Sequence, residues 1–143
     1  MNEGEFSVTI ASDTGAIPGV TAALEKLLKA HAFEEDEILD VQLAVEEAIS
    51  NIILHGYRGG TGVITVCCKV TGEMAEVRIE DSAPPFDPLS MPEPDLAAGI
   101  DGRTVGGMGI PLIRRVMDGI TYRYENGKNI LVLVRWKAFP ISR

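Results

Sequence analysis

Long apolar runs are missing from this chain: stretches such as Ile130 to Val134 (ILVLV) fall far short of the roughly 20 residues that span a bilayer. No basic segment followed by an apolar core opens it, so a secretory leader is not expected. The expected setting is soluble and cytoplasmic, with no membrane partner. Basic residues are also scarce. The 13 Lys and Arg against 21 Asp and Glu leave a net charge of -8, which opposes sequence-independent attraction to a phosphate backbone. Nucleic acid is therefore not an expected partner. The two cysteines, Cys67 and Cys68, are neighbours in a predicted strand, where adjacent side chains point to opposite faces. They make a poor disulfide or metal site and are expected to be reduced. Ser/Gly-rich linkers, blocks of like charge and internal repeats are lacking as well. The 143 residues are thus read as one domain, 1–143, with a single core.

What is present is a set of short periodic segments. FSVTIA, from Phe6, alternates as a strand does, with Phe6, Val8 and Ile10 on one face. From Ile17 to about His31, the apolar Val20, Leu24, Leu27 and Leu28 recur at helical spacing. Acidic Glu34 to Glu37 suit the positive pole of a second helix, which is expected to run to a stop at Gly56. GVITVCCKV and MAEVRIED form a predicted hairpin around Thr71-Gly72-Glu73. A third helix is expected from Ile110 to Asp118, followed by a hairpin turning at Asn126-Gly127. Runs of strands with helices in two separate blocks predict an α+β fold, a two-layer sandwich with an antiparallel or mixed sheet covered on one face by helices.

Four features carry chemistry. In VEEAISNIILHGY, Glu47 and Asn51 lie about 40° apart around the second helix, with His55 about 40° further on, so the three form one polar stripe. Ala44 and Ala48 leave room beside this polar stripe. It suits a bound ligand, or else a solvated groove in which Asn51 bonds water, and His55 reads as a helix-end residue near the negative pole. Asp81 ends the inward row Ala75, Val77, Ile79; its carboxylate needs a donor, either a backbone N–H of the next turn or the amino group of a bound base. Ser82 to Gly106 is rich in proline at one end and glycine at the other. Loops of this length inside a compact domain are mostly lids or binding loops. Lastly, GGMGIP opens the third helix with Pro111 in its first turn. Glycines there let backbone N–H groups reach an anion, or simply make a tight turn; no Gly-Lys-Ser/Thr follows, so this is not a Walker A loop.

Taken in order, Glu-x-x-x-Asn on a helix, Asp at a strand end, a long loop and Gly-x-Gly before a helix, the chain resembles the ATP-binding superfamily of gyrase, heat-shock chaperones and histidine kinases. EEAISNIILHGY, EDSAPPFDP and GGMGIPLIRRVMD are most similar to the anti-sigma-factor serine/threonine kinases. That resemblance implies the Bergerat ATP-binding fold, with a mixed, mostly antiparallel sheet, holding Mg-ATP between the second helix, the sheet and a lid. It implies Asn51 as the Mg²⁺ ligand, Glu47 as the general base or the group that orients the attacking hydroxyl, and Asp81 as the acceptor for the adenine amino group. Gly107 and Gly109 would present N–H groups to phosphate, and Pro85, Phe86, Gly106, Met108 and Ile110 complete the implied nucleotide contacts. The implied partners are a small anti-sigma antagonist protein as phosphoacceptor and a sigma factor or other response regulator; relatives commonly dimerise, so a homodimer is a further expectation. A nucleotide-binding module with little transfer is the alternative function. Two departures stand out: the superfamily's Asp-x-Gly-x-Gly becomes Asp81-Ser82-Ala83-Pro84-Pro85, and Asn129 stands where many members carry a Thr near the base.

Overall fold

The computed structural model describes residues 4–90 and 109–138. Their order is β1 (Glu5–Ala11), α1 (Ile17–Ala30), α2 (Glu35–Asn51), a π turn (Ile52–Gly56), β2 (Val63–Thr71), β3 (Met74–Asp81), α3 (Gly109–Val116), β4 (Gly119–Glu125) and β5 (Lys128–Trp136). Short 3-10 turns precede α1 and follow the loop after β3, at Thr14–Ala16 and Pro88–Ser90.

The strands form one sheet in the order β1-β2-β3-β5-β4. Every described pairing is antiparallel, so the parallel pair that a mixed sheet would need is not present among them. Two tight hairpins explain much of this. At Asn126 and Gly127 both φ angles are positive, 54° and 77°, which matches the right-handed twist of the flanking strands. Glu125 then faces Lys128 and β4 zips onto β5.

The helical layer is held by the faces that the periodicity picks out. Val20, Leu24, Leu27 and Leu28 of α1 are buried, as are Ile38, Val41, Val45 and Ile49 of α2. They meet Ile64 and Val66 of β2, Val77 and Ile79 of β3, and Leu133 of β5 in one core. The start of α2 is fixed by Glu37, whose Oε1 accepts from the Glu34 backbone N–H at 2.7 Å. Cys68 lies in the core; burial pushes its thiol up to about 12, with Cys67 and Glu76 adding to the shift. Cys67 points to the other face beside Ser7, in keeping with two unpaired, reduced cysteines.

The second helix departs from expectation in its last turn. It does not continue as a regular helix to Gly56 but widens into the π turn, where the Tyr57 N–H donates to Ile52 O at 2.8 Å. Tyr57 explains the geometry at this exit. Its hydroxyl donates to Val63 O at 2.7 Å and accepts from the Ser82 N–H at 2.9 Å, tying the helix end to the start of β2 and the end of β3. Its ring lies so close to Gly62 that an added Cβ there would sit 2.2 Å from it.

Candidate functional site

Asn51 is 2% exposed, and neither its Oδ1 nor its Nδ2 has a hydrogen-bond partner among the described residues. The side chain is thus buried and does not lie in an open groove. Leaving a buried amide unpaired costs about 1–3 kcal/mol, and native chains seldom retain such a group without a use for it. One turn earlier, Glu47 is partly buried; burial, and then the neighbouring Glu46 carboxylate, hold its pKa above the ordinary value. The first residue of α3 closes over both. A Cβ added to Gly109 would lie 2.8 Å from Asn51 Nδ2 and 3.2 Å from Glu47 Oε2, so only glycine allows the helix to start here without displacing them.

Asn51 also lines a cleft with Asp81, Phe86, Ile110, Tyr122 and Asn129. Ala48 also borders it, whereas Ala44 does not. Asp81 is 5% exposed and sits at the end of β3, opposite Asn129 of β5. Its Oδ1 accepts from the Ala83 N–H at 2.9 Å and from Asn129 Nδ2 at 2.9 Å. The turn-cap reading of Asp81 is thus correct for Oδ1. Among the described residues no hydrogen bond reaches Oδ2, so the cap leaves an acceptor on a carboxylate that borders the cleft. Burial raises the Asp81 pKa, while the Asn129 and Ala83 bonds pull it back down.

Of the residues implied by resemblance, the structure brings Asn51, Asp81, Phe86 and Ile110 to this one cleft and places Glu47 and Gly109 at the α2–α3 contact beside it. Pro85 is exposed and does not line the cleft. Gly106, Gly107 and Met108 lie outside the described residues, as does most of the expected lid. His55 does not continue the stripe from Asn51, because the π turn breaks the regular spacing; its ring instead stacks on Phe86, with centroids 6.0 Å apart. Tyr122 had no reading from sequence, and Asn129 stood out only as a departure from the usual Thr near the base; the contacts of both depend on which strands neighbour one another.

Asn51 Oδ1 is a hard oxygen without a partner among the described residues, and such an oxygen fits Mg²⁺, which is commonly held by one or two protein oxygens plus substrate phosphates. No described helix is long and apolar enough to cross a membrane.

The family model for the histidine kinase-like ATPase domain matches residues 10–135. Among curated proteins, the chain is 33% identical over 109 residues to an anti-sigma F factor of Clostridium acetobutylicum, covering 71% of each chain. It is 30% identical to the serine-protein kinase RsbW of Listeria monocytogenes, covering 70% of this chain and 67% of that one. The serine/threonine-protein kinase BtrW of Bordetella bronchiseptica is 27% identical and aligns over 94% of this chain and 92% of its own. A crystal structure of RsbU and RsbW domains from Mycobacterium tuberculosis shares the fold, with a TM-score of 0.68 at 16% identity. The match covers 95% of this chain and 33% of that longer one.

Proposed function

Because the chain belongs to the histidine kinase-like ATPase domain family, we propose that it is an ATP-dependent serine/threonine protein kinase of the anti-sigma type. Its substrate is a Ser or Thr hydroxyl of a small antagonist protein, and it sequesters a sigma factor or similar regulator that the unphosphorylated antagonist releases. ATP binding and kinase chemistry accord with relatives named serine-protein kinase and anti-sigma F factor. The observation that carries the reading is Asn51, a buried amide left without protein partners, one helical turn from a carboxylate of raised pKa and bordering the same cleft as Asp81.

Their positions support the roles that the family resemblance implies. Asp81 accepts from the exocyclic amino group of adenine. Asn51 would hold Mg²⁺, which would neutralise phosphate charge at the site. Glu47 takes the proton from the attacking hydroxyl as the new O–P bond forms and the bond to the ADP oxygen breaks. Burial suits Glu47 to this, since a base with a pKa nearer the working pH holds the proton more firmly. The backbone N–H groups where α3 begins lie at the positive end of its dipole, next to Asn51 and Glu47, where phosphate is favoured.

Incubation with γ-labelled ATP and the candidate antagonist, followed by mapping of the labelled residue, tests this. Label on Ser or Thr of the partner is the expected result. Nucleotide binding with no transfer to any antagonist would leave only the binding module.

A further inference from the structure

The amide of Asn129 is fully used inside the protein. Its Nδ2 donates to Asp81 Oδ1 at 2.9 Å, to Ala83 O at 3.0 Å and to Pro84 O at 3.2 Å. Its Oδ1 accepts from the Phe86 N–H at 3.0 Å and from the Tyr122 hydroxyl. These partners fix which way the amide points, since a backbone N–H can only donate and the two carbonyls can only accept. With two N–H bonds spread over three acceptors and both lone pairs engaged, Asn129 has nothing left to offer a ligand.

The same contacts explain the unusual loop. Pro84 and Pro85 have no N–H, so Ala83 to Phe86 cannot brace itself with backbone donors in the middle of the turn. Asn129 supplies donors to the carbonyls of Ala83 and Pro84 and an acceptor for the next available N–H, at Phe86. The Ala83-Pro84-Pro85 run, with Ala83 and Pro85 at the glycine positions of the superfamily pattern, and the Asn on the facing strand are therefore two halves of one arrangement, joined by the register Asp81 opposite Asn129.

We propose that Asn129 is a positioning residue for base recognition: it locks the Asp81 carboxylate and the Ala83–Phe86 backbone into one wall of the cleft, so that Asp81 alone reads the exocyclic amino group of the base. This rests on the nucleotide reading above. A base with an amino group at that position donates to Asp81; a base with a carbonyl there sets two acceptors against each other. Selectivity then depends on how firmly the carboxylate is held, and the Asn129 bond both aims it and favours its charged form. Among the described residues, the other titratable groups around this wall are Tyr122 from β4, Asp87 from the loop, Tyr57, whose hydroxyl accepts from the Ser82 N–H, and His55 from the π turn, which stacks on Phe86.

The test is binding of ATP and of ITP, which differs by having a carbonyl in place of the amino group, measured by calorimetry over a pH series. The proteins are the full chain, Asn129→Leu, and Tyr122→Phe, which removes one donor to the amide while leaving the strand pairing intact. In the full chain ATP is preferred. In Asn129→Leu that preference shrinks by about tenfold or more, the value of a hydrogen bond to a charged group, and ATP affinity is lost at higher pH as the solution is acidified. Tyr122→Phe moves both readouts the same way by less. An ATP preference and an acid limb unchanged in both variants, or equal losses of ATP and ITP affinity with no shift of the limb, would overturn the positioning role. Failure of the full chain to bind ATP at all would instead remove the nucleotide reading on which the role rests.

Discussion

Asn51 and Glu47 lie side by side yet should fail differently when replaced. Asn51→Ala removes an amide that no described residue satisfies, so the fold should be as stable as the wild type or gain up to about 1–3 kcal/mol. The enhancement of ATP affinity by magnesium should disappear. Denaturant unfolding together with ATP titration with and without Mg²⁺ checks both; wild-type magnesium enhancement in the variant would remove the metal assignment. Glu47→Gln keeps size and hydrogen bonding but not basicity, so nucleotide affinity should persist while transfer falls about 10²- to 10⁴-fold. The pH profile adds a sign. Glu47 acts only when deprotonated, and burial followed by Glu46 raises its pKa, so the rate should climb with pH through a limb above the ordinary Glu range. Glu46→Gln, which removes only the repulsion from its neighbour, should slide that limb to lower pH. A limb that stays in place would show that Glu47 is not the group being titrated.

Two contacts between elements are as decisive as any single site residue. At the α2–α3 contact, alanine is favoured over glycine by about 1 kcal/mol within a helix, but at Gly109 its Cβ would come to 2.8 Å from Asn51 Nδ2. Gly109→Ala should therefore lose ATP affinity out of proportion to any change in stability, as the helix start backs away from Asn51. Calorimetry beside thermal unfolding separates the two, and undiminished ATP affinity would mean the close approach has no functional weight. At the helix exit, Tyr57→Phe deletes two hydrogen bonds that tie the π turn to β2 and β3. Each is worth about 0.5–1.5 kcal/mol net, so the variant should unfold at measurably lower denaturant with an unchanged dependence on its concentration.

Over the whole molecule, the cleft is built from α2, α3, β3, β4 and β5, so a ligand bound there bridges both layers and should stabilise the chain globally. At 100 times its Kd, ATP contributes about 2.7 kcal/mol, and for a chain of this size each kcal/mol moves Tm by roughly 2–4 °C or somewhat more. Thermal unfolding should shift upward by several degrees with Mg-ATP in the wild type and much less in Asp81→Ala at the same concentration. Equal shifts in the two proteins would place the nucleotide away from Asp81. The net charge of -8 acts at this scale too, since the field it sets up favours partners that present basic surface.

Local periodicity carried most of the fold. The buried faces of α1 and α2, the alternation in β2 and β3, and the Asn126-Gly127 turn are each set by residues within a few positions of one another, where burial and backbone preference act without knowledge of the rest of the chain. The Glu47–Asn51 pair was legible for the same reason, as one turn of a regular helix. The tertiary structure decided what depends on residues far apart. Asp81 and Asn129 are separated by 48 positions, and only the β3–β5 register makes them partners; nothing in either strand alone specifies that pairing. The orphaned amide of Asn51 likewise arises from α3 packing over α2, and the displacement of His55 from Tyr57 anchoring the helix exit to two strands. Spacing along the chain determines which side chains share a face, whereas which faces meet, and which polar groups are left for a ligand, is settled by packing.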